Sequence, residues 1–392
     1  MKYVHYFENE SGYNTVRKND YEEPWLSLIE GVERVNYNIS ERDYMDKPLT
    51  FEILTAGTIE FINHIYRFAN WTHSLEYSLN GGSWTVLAAG EEGYVDGSYD
   101  YYVQGDVLSV SAGDVVQFRG YDEYSDNWDY SDHMYGGWGL MSGGCSWNHH
   151  FTTTCNFNVS GNVMSLINPV HYTTMYNFND YSERALEGLF SYCEGLIDAS
   201  ELILPARMVD KNCYLQMFNG CTSLVNAPRI LPATLLGEYC YSDMFAGCTS
   251  LVSAPKLPAM NLADNCYSSM FNGCTSLVNA PELPATTLVT YCYYSMFQGC
   301  SSLVKAPDLL APVLEDSCYY NMFFSCTRLN YLKCMATSCN NNTSVNFCLS
   351  YWIDDTSETG TFVKNPNTPA SFFTSSTSGN SLIPSGWTIV DA

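Results

Sequence analysis

The side chains best suited to chemistry are concentrated in residues 121–150, a stretch rich in carboxylates, tryptophan and glycine. A calcium loop needs oxygen ligands at alternate positions and a glycine at its turn. Asp126, Asp129 and Asp132 are three residues apart, so their spacing does not match such a loop. Three interpretations stay open: the aromatic mini-core of an inserted loop, which we favour, a glycan-binding surface, and a calcium site. The glycan-binding interpretation uses Trp128, Tyr130, Tyr135 and Trp138.

Cysteine and histidine at the end of this stretch raise the question of a metal. Cys145, His149, His150 and Cys155 could supply zinc ligands, but their spacing matches no standard zinc site. Glycoside hydrolysis needs two carboxylates across a cleft, and too many pairs of loop acids meet that condition on paper. No nucleophile-elbow, Walker, Rossmann or His-Glu-x-x-His motif is present. The sequence therefore predicts no enzyme, no metal and no cofactor.

A repeat dominates the second half of the chain, from about Leu186 to Leu329. Its last cysteine marks the register and returns after 28, 27, 26, 26 and 26 residues. In five copies a second cysteine precedes this marker by eight residues. Zinc sites need closer pairs, such as Cys-x2-Cys. We therefore expect small buried thiols stacked from one repeat to the next. The marker cysteines are Cys193, Cys221, Cys248, Cys274, Cys300 and Cys326.

The repeat length is typical of leucine-rich repeats. Each unit predicts a short strand over its Leu-Val-x-Ala-Pro stretch, a turn at the proline, and a short helical return that carries Met-Phe. No unit could bury its leucine, methionine and phenylalanine alone, so the six units must stack into one solenoid. At the usual strand spacing, the parallel sheet is roughly 25–30 Å long.

Two positions of the repeat vary in polarity while their neighbours stay the same, which is typical of residues that face solvent. On a solenoid these positions line up, and solenoids commonly bind partners along such surfaces. We call this row the stripe; the sequence leaves open whether it recognises a ligand or is merely solvated. Its members are Asn226, Ser253, Asn279 and Lys305, and, three residues later in each repeat, Arg229, Lys256, Glu282 and Asp308.

The remaining chain adds an arm, a second domain and a cap. Residues 1–47 lack a sustained period and predict an irregular N-terminal arm, in which Pro24 holds its predecessor extended. Residues 48–167 alternate apolar and polar side chains over six to eight short strands, which favours a β-sandwich. The solenoid then takes residues 168–335 and its C-terminal cap residues 336–392. The predicted fold is thus mainly β with short helices.

One copy of the repeat, residues 266–285, resembles the BspA-like leucine-rich repeats of bacterial surface proteins. Its Ala-Pro-x-Leu-Pro-Ala ending is similar to proteins of gut Bacteroides and of the crAss-like phages that infect them. The first 47 residues resemble a leader that precedes varied domains in structural proteins of Bacteroides phages. This resemblance implies that the arm docks onto a particle. The docking residues it implies are Tyr6, Phe7, Pro24 and Trp25.

Composition narrows the class of partner. Lys and Arg total 17 against 42 Asp and Glu, a formal net charge of −25, which disfavours nucleic acid and anionic membranes. The sequence has no run of 18 apolar residues, so it predicts no membrane span. The first ten residues lack the apolar core of a secretory signal, so we expect thiols rather than disulfides. The 31 tyrosines are typical of adhesive surfaces, because tyrosine joins a rigid apolar face to a polar tip.

These features favour a non-enzymatic surface protein of a phage virion, in a head or tail fibre or decoration. Its arm would contact other virion proteins, and its repeats would adhere to a host-surface protein or gut glycan. A homo-oligomer is allowed. The alternative is a bacterial cell-surface adhesin of the BspA-like kind, which would need an export signal. A glycan-acting enzyme is the third hypothesis and the least favoured.

Overall fold

The computed structural model describes residues 46–65, 74–95, 98–121, 149–169, 172–174, 183–340, 345–369, 371–374 and 383–392. All of these residues belong to one compact unit, which runs from Asp43 to Ala392. Within these ranges the protein is mainly β, with short helices and a β-solenoid of about six turns. The predicted fold class is confirmed.

Two sheets make up the first half of this unit. One has the strand order β11-β10-β1-β8-β3-β4, and the other the order β6-β5-β2-β7, with β9 also paired to β2. The strands are β1 (Leu49–Ile53), β2 (Gly57–Ile65), β3 (Leu75–Leu79), β4 (Thr85–Leu87), β5 (Gly90–Val95), β6 (Ser98–Val103), β7 (Leu108–Val110), β8 (Val115–Gly120), β9 (His150–Thr153), β10 (Phe157–Asn162) and β11 (Leu196–Ile203).

Phenylalanines from both sheets form the core between them. The ring of Phe151 in β9 lies 5.0 Å, centre to centre, from both Phe51 in β1 and Phe118 in β8. All three rings are fully buried. They meet because alternate residues of a strand point to the same face. This is the sandwich that the alternating pattern predicts. Two 3-10 helices, Val163–Leu166 and Tyr172–Thr174, follow its last strand.

The sandwich and the solenoid share one sheet and one core. Strand β10 of the sandwich pairs in parallel with β11, the first strand of the solenoid. Phe151 stacks at 5.9 Å on Phe190, which belongs to the first solenoid turn. Gly195 permits the close approach, because a Cβ there would lie 2.1 Å from the Cys155 carbonyl oxygen. The solenoid therefore begins on the edge of the sandwich and needs no separate N-terminal cap.

The predicted repeat strand is reduced to a single bridge in each middle turn. Parallel bridges join Asp198, Asn226, Ser253, Asn279, Lys305 and Tyr331 in that order. Pairing is interrupted because the second residue after each middle bridge is a proline, as Pro228 follows Asn226, and proline has no N–H to donate. It resumes beyond the proline at isolated bridges such as Ile230 with Lys256. The remaining strands are β12 (Met208–Val209), β13 (Leu235–Leu236), β14 (Val313–Leu314), β15 (Tyr331–Cys334), β16 (Ser338–Cys339), β17 (Gly360–Lys364) and β18 (Trp387–Asp391).

The predicted helical return in each repeat is wrong. The segment that carries Met-Phe is a series of tight turns in which i→i−3 bonds alternate with bonds to the next repeat. The Met217 amide donates to the Tyr214 carbonyl (3.2 Å), whereas the Phe218 amide donates to the Met244 carbonyl one turn away (2.9 Å). Left-handed residues recur along it; Gly247 has φ +75°. A helix cannot form because alternate N–H groups bond across the stack instead of along the chain.

Identical side chains of successive turns stack into ladders that fill the solenoid. Phenylalanine rings stack at 5.2–5.6 Å through five steps. Buried tyrosine rings form a parallel ladder at 5.8–6.2 Å. The phenylalanine ladder consists of Phe190, Phe218, Phe245, Phe271, Phe297 and Phe323, and the tyrosine ladder of Tyr214, Tyr241, Tyr267, Tyr293 and Tyr319.

The C-terminal end continues the same parallel ladder. Strand β15 pairs with β17, and β17 with β18, all in parallel. Trp352 is fully buried at the position that methionine takes in the repeats, and it packs edge-on at 6.1 Å against Phe362. Two short helices, α1 (Val345–Cys348) and α2 (Ser371–Thr374), accompany these strands. None of the helices in the described ranges is long and apolar enough to cross a bilayer.

Candidate functional site

The stripe lies on the bridged side of the solenoid, which we call the bridge face. Its first row occupies the bridged positions themselves, so its side chains are held at the strand spacing of about 4.8 Å. Three bridge steps from Asn226 to Lys305 give the row a length of about 14 Å. Six of the eight stripe residues are exposed, and Asn226 and Asp308 are half-buried. The backbone ladder thus presents the stripe as a regular, solvent-facing array.

Contacts between turns occupy both ends of the stripe. At the N-terminal end, the Asn226 amide donates to the Asp198 carboxylate at 2.6 Å, and Arg229 forms an ion pair with Glu201. At the C-terminal end, the Lys333 ammonium lies 2.8 Å from the Asp308 carboxylate. Exposed pairs of this kind contribute little to stability, but the polar groups that form them are not available to a ligand.

Lys305, also at the C-terminal end, lies over an aromatic ring. Its ammonium nitrogen is 5.1 Å from the centre of the Tyr331 ring, within the range of a cation–π contact. Most polar side chains at the two ends of the stripe therefore already contact residues of neighbouring turns.

The middle of the stripe is open. In the described part of the chain, the side chains of Ser253, Lys256, Asn279 and Glu282 have no hydrogen-bond or ion-pair partner, and all four are exposed. An exposed valine precedes each of the two bridged residues: Val252 is 42% exposed and Val278 45%. The two central turns therefore offer a cation, an anion, a hydroxyl and an amide beside apolar methyl groups. Such a surface can bind a partner by hydrogen bonds and by two ion pairs, one through its cation and one through its anion.

The other predicted binding residues fall outside the described ranges. The aromatic loop residues Trp128, Tyr130, Tyr135 and Trp138 belong to 122–148, and the docking residues Tyr6, Phe7, Pro24 and Trp25 belong to 1–45. Both assignments stay predictions. Of the candidate zinc ligands, His149, His150 and Cys155 are described and Cys145 is not. The described ranges contain no group of three or more His, Cys, Asp or Glu side chains placed to hold a metal ion.

The repeated cysteines are buried thiols, as the spacing predicts. All fifteen described cysteines are free, and fourteen of them are buried. Each marker thiol donates to a phenylalanine carbonyl, as Cys248 does to Phe218 at 3.1 Å. Burial raises the pKa of Cys193 and of Cys326 to about 12. Thiolate is the reactive form of cysteine, so these thiols have a structural role.

A second exposed feature was missed at the level of the sequence. Four tyrosines of the turn segments meet across three successive turns; we call them the tyrosine platform. The rings of Tyr294 and Tyr320 stack at 5.1 Å, Tyr291 lies 5.6 Å from Tyr294, and Tyr351 lies 5.9 Å from Tyr320. The signal was present in the repeat alignment: Tyr294 and Tyr320 stand where other turns have serine.

Comparison with known proteins adds no family to this description. No protein-family model, no curated protein and no solved structure matches the chain.

Proposed function

We propose that this protein is a non-enzymatic adhesion protein of a phage virion surface, and that the solenoid presents the middle of the stripe to a partner on the host. The observation that carries the proposal is the open centre of the stripe. Two adjacent turns expose Ser253, Lys256, Asn279 and Glu282 without internal partners, whereas the outer turns pair their polar groups. Because the ladder already orders the backbone, binding costs little further backbone entropy.

Several further properties support adhesion rather than catalysis or nucleic-acid binding. The net charge of −25 repels phosphate backbones. The placement on a virion, docked through residues 1–47, comes from the resemblance of the repeat and the leader. Weak contacts suffice for adhesion when many copies act together, because linked binding sites exceed single-site affinity by about 10²–10⁴.

Reversing the two central charges tests the stripe. We expect the double variant Lys256→Glu with Glu282→Lys to bind host cells at least about tenfold more weakly, because each charge then meets a like charge on the partner. The matched control is Lys211→Glu with Glu238→Lys. It reverses an exposed ion pair of 2.7 Å outside the stripe and keeps the same net charge. Binding curves of fluorescent protein on host cells measure the effect, and equal affinity of both variants would contradict the proposal.

The location of the chain is a separate prediction. We expect quantitative mass spectrometry to recover it from purified phage particles at a fixed copy number relative to the capsid protein. Deleting residues 1–42, the part of the proposed docking arm that precedes the unit Asp43–Ala392, should abolish that incorporation. Recovery in the host outer-membrane fraction instead would overturn the virion assignment and favour the bacterial adhesin.

A further inference from the structure

The tyrosine platform is built from residues that the solenoid does not require. Tyr294 and Tyr320 take a position where other turns have Ser242, Ser268 and Ser350, all of them buried. Serine therefore satisfies the fold at this position. The two tyrosines are half-buried and add aromatic surface to the turn segments.

The two flanking tyrosines occupy backbone positions that disfavour them. Tyr291 has φ +56° and Tyr351 φ +53°, in the left-handed region. Large side chains are uncommon in this region, whereas asparagine and aspartate are several-fold enriched there. At the position equivalent to Tyr291, two other turns do carry asparagine, Asn212 and Asn265. Left-handed residues recur through the turn segments, Tyr239 among them, so this conformation belongs to the fold. At Tyr291 and Tyr351 it holds rings that are 36% and 42% exposed.

The charges around the platform define which ligands fit it. The three turn segments that carry it, residues 291–300, 317–326 and 348–355, contain no lysine or arginine. Their only charged residues are Asp354 and Asp355. Burial raises the pKa of Tyr320, and the neighbouring phenols Tyr294, Tyr351 and Tyr291 raise it further, so the Tyr320 phenol is neutral at pH 7. These segments therefore offer no cation to a sulfated, phosphorylated or sialylated ligand.

We propose that the tyrosine platform binds a neutral glycan, whose pyranose rings lie against the aromatic surface while its hydroxyls pair with the phenol groups. The apolar C–H face of a hexose matches an aromatic ring, and tyrosine adds a donor and acceptor at its tip. Tyr294 and Tyr320 stack face to face at 5.1 Å, and the exposed rings of Tyr291 and Tyr351 are turned by 59° and 68° from them. A chain of sugars can therefore contact the two flanking rings and the edges of the stacked pair. The inference adds a second site to the proposed adhesion function and rests on that function for its biological role.

The structure supplies substitutions that test the platform without disturbing the fold. In Tyr294→Ser with Tyr320→Ser, both positions receive the residue that other turns already use. Tyr291→Asn gives that turn the residue of Asn212 and Asn265. The matched control is Tyr239→Asn, at the position equivalent to Tyr291 two turns earlier, where an exposed left-handed tyrosine makes no ring contact with the platform.

The experiment is a titration of the full chain with neutral hexose oligosaccharides, beside sulfated and sialylated ones, by calorimetry and on a glycan array. We expect the chain and Tyr239→Asn to bind neutral members, and Tyr294→Ser with Tyr320→Ser and Tyr291→Asn each to bind them at least about tenfold more weakly. All variants should keep the melting temperature of the parent within a few degrees. A variant that melts far lower is set aside, and Tyr291→Asn then decides.

The inference is overturned if neutral oligosaccharides do not bind, if anionic ones bind more tightly, or if the platform variants bind as tightly as the unchanged chain. If the chain bound no glycan and the platform variants instead lost binding to a host protein, the platform would belong to a protein partner and the inference would be overturned. Host-cell binding that depends on Lys256 and Glu282 but not on the platform would refute only this inference. If every variant still bound both glycans and host cells as tightly as the unchanged chain, both proposals would be refuted.

Discussion

We expect the Phe245→Ala variant to lose about 3–5 kcal/mol of the free energy of unfolding, which is the usual effect of deleting a buried phenylalanine ring. Phe245 is fully buried and stacks on Phe218 at 5.2 Å and on Phe271 at 5.6 Å. Its removal weakens two turn-to-turn interfaces at once. In a solenoid, stability is close to a sum of such nearest-neighbour terms, so no distant part of the core can compensate.

The measurement for Phe245→Ala is urea unfolding followed by circular dichroism. Val252→Ala is the matched control, because it removes methyl groups from an exposed residue seven positions along the chain and should stay within about 0.5 kcal/mol of the parent. A loss below about 1 kcal/mol for Phe245→Ala would mean that the phenylalanine ladder does not hold adjacent turns together.

The repeat was readable from sequence because its spacing reports stacking directly. Cysteines at intervals of 26–28 residues require equivalent positions to lie above one another, and this fixed both the ladders and the stripe. The return segment was not readable. Its buried residues Cys213, Tyr214, Met217, Phe218 and Cys221 have the spacing of one helix face. What prevents the helix is hydrogen bonding to the adjacent turns, a tertiary property that a single repeat does not contain.

The two surface features differ in the same way. The stripe was found because polarity varies at Asn226 and Arg229 between fixed neighbours. That only its middle is open could not be found, since this depends on ion pairs such as Lys333 with Asp308. The platform was hidden because 31 tyrosines make any one of them uninformative. Their replacement of serine in the repeat sets Tyr294 and Tyr320 apart, but only their stacking at 5.1 Å shows that they form one surface.

The second large effect concerns the boundary between sandwich and solenoid. We expect residues 168–392 expressed alone to aggregate, or to melt at least about 10 °C below the full chain. Without the sandwich, β11 loses its partner β10 along the sheet edge, and unpaired edges promote association. Phe190 loses its stacking on Phe151, and the Cys193 thiol loses the Phe151 carbonyl, which lies 3.0 Å away. The first solenoid turn would expose a core that terminal repeats normally cover.

Deleting only residues 1–42 is the matched control for this truncation, because it leaves the unit Asp43–Ala392 whole. That variant should keep the melting temperature of the full chain and unfold in one transition. Size-exclusion chromatography and thermal melting distinguish the outcomes. A soluble 168–392 fragment with an unchanged melting temperature would mean that the shared sheet is dispensable. If the fragment fails as expected, the sandwich is the N-terminal cap of the solenoid as well as a spacer, and any variant that loosens it also loosens the stripe.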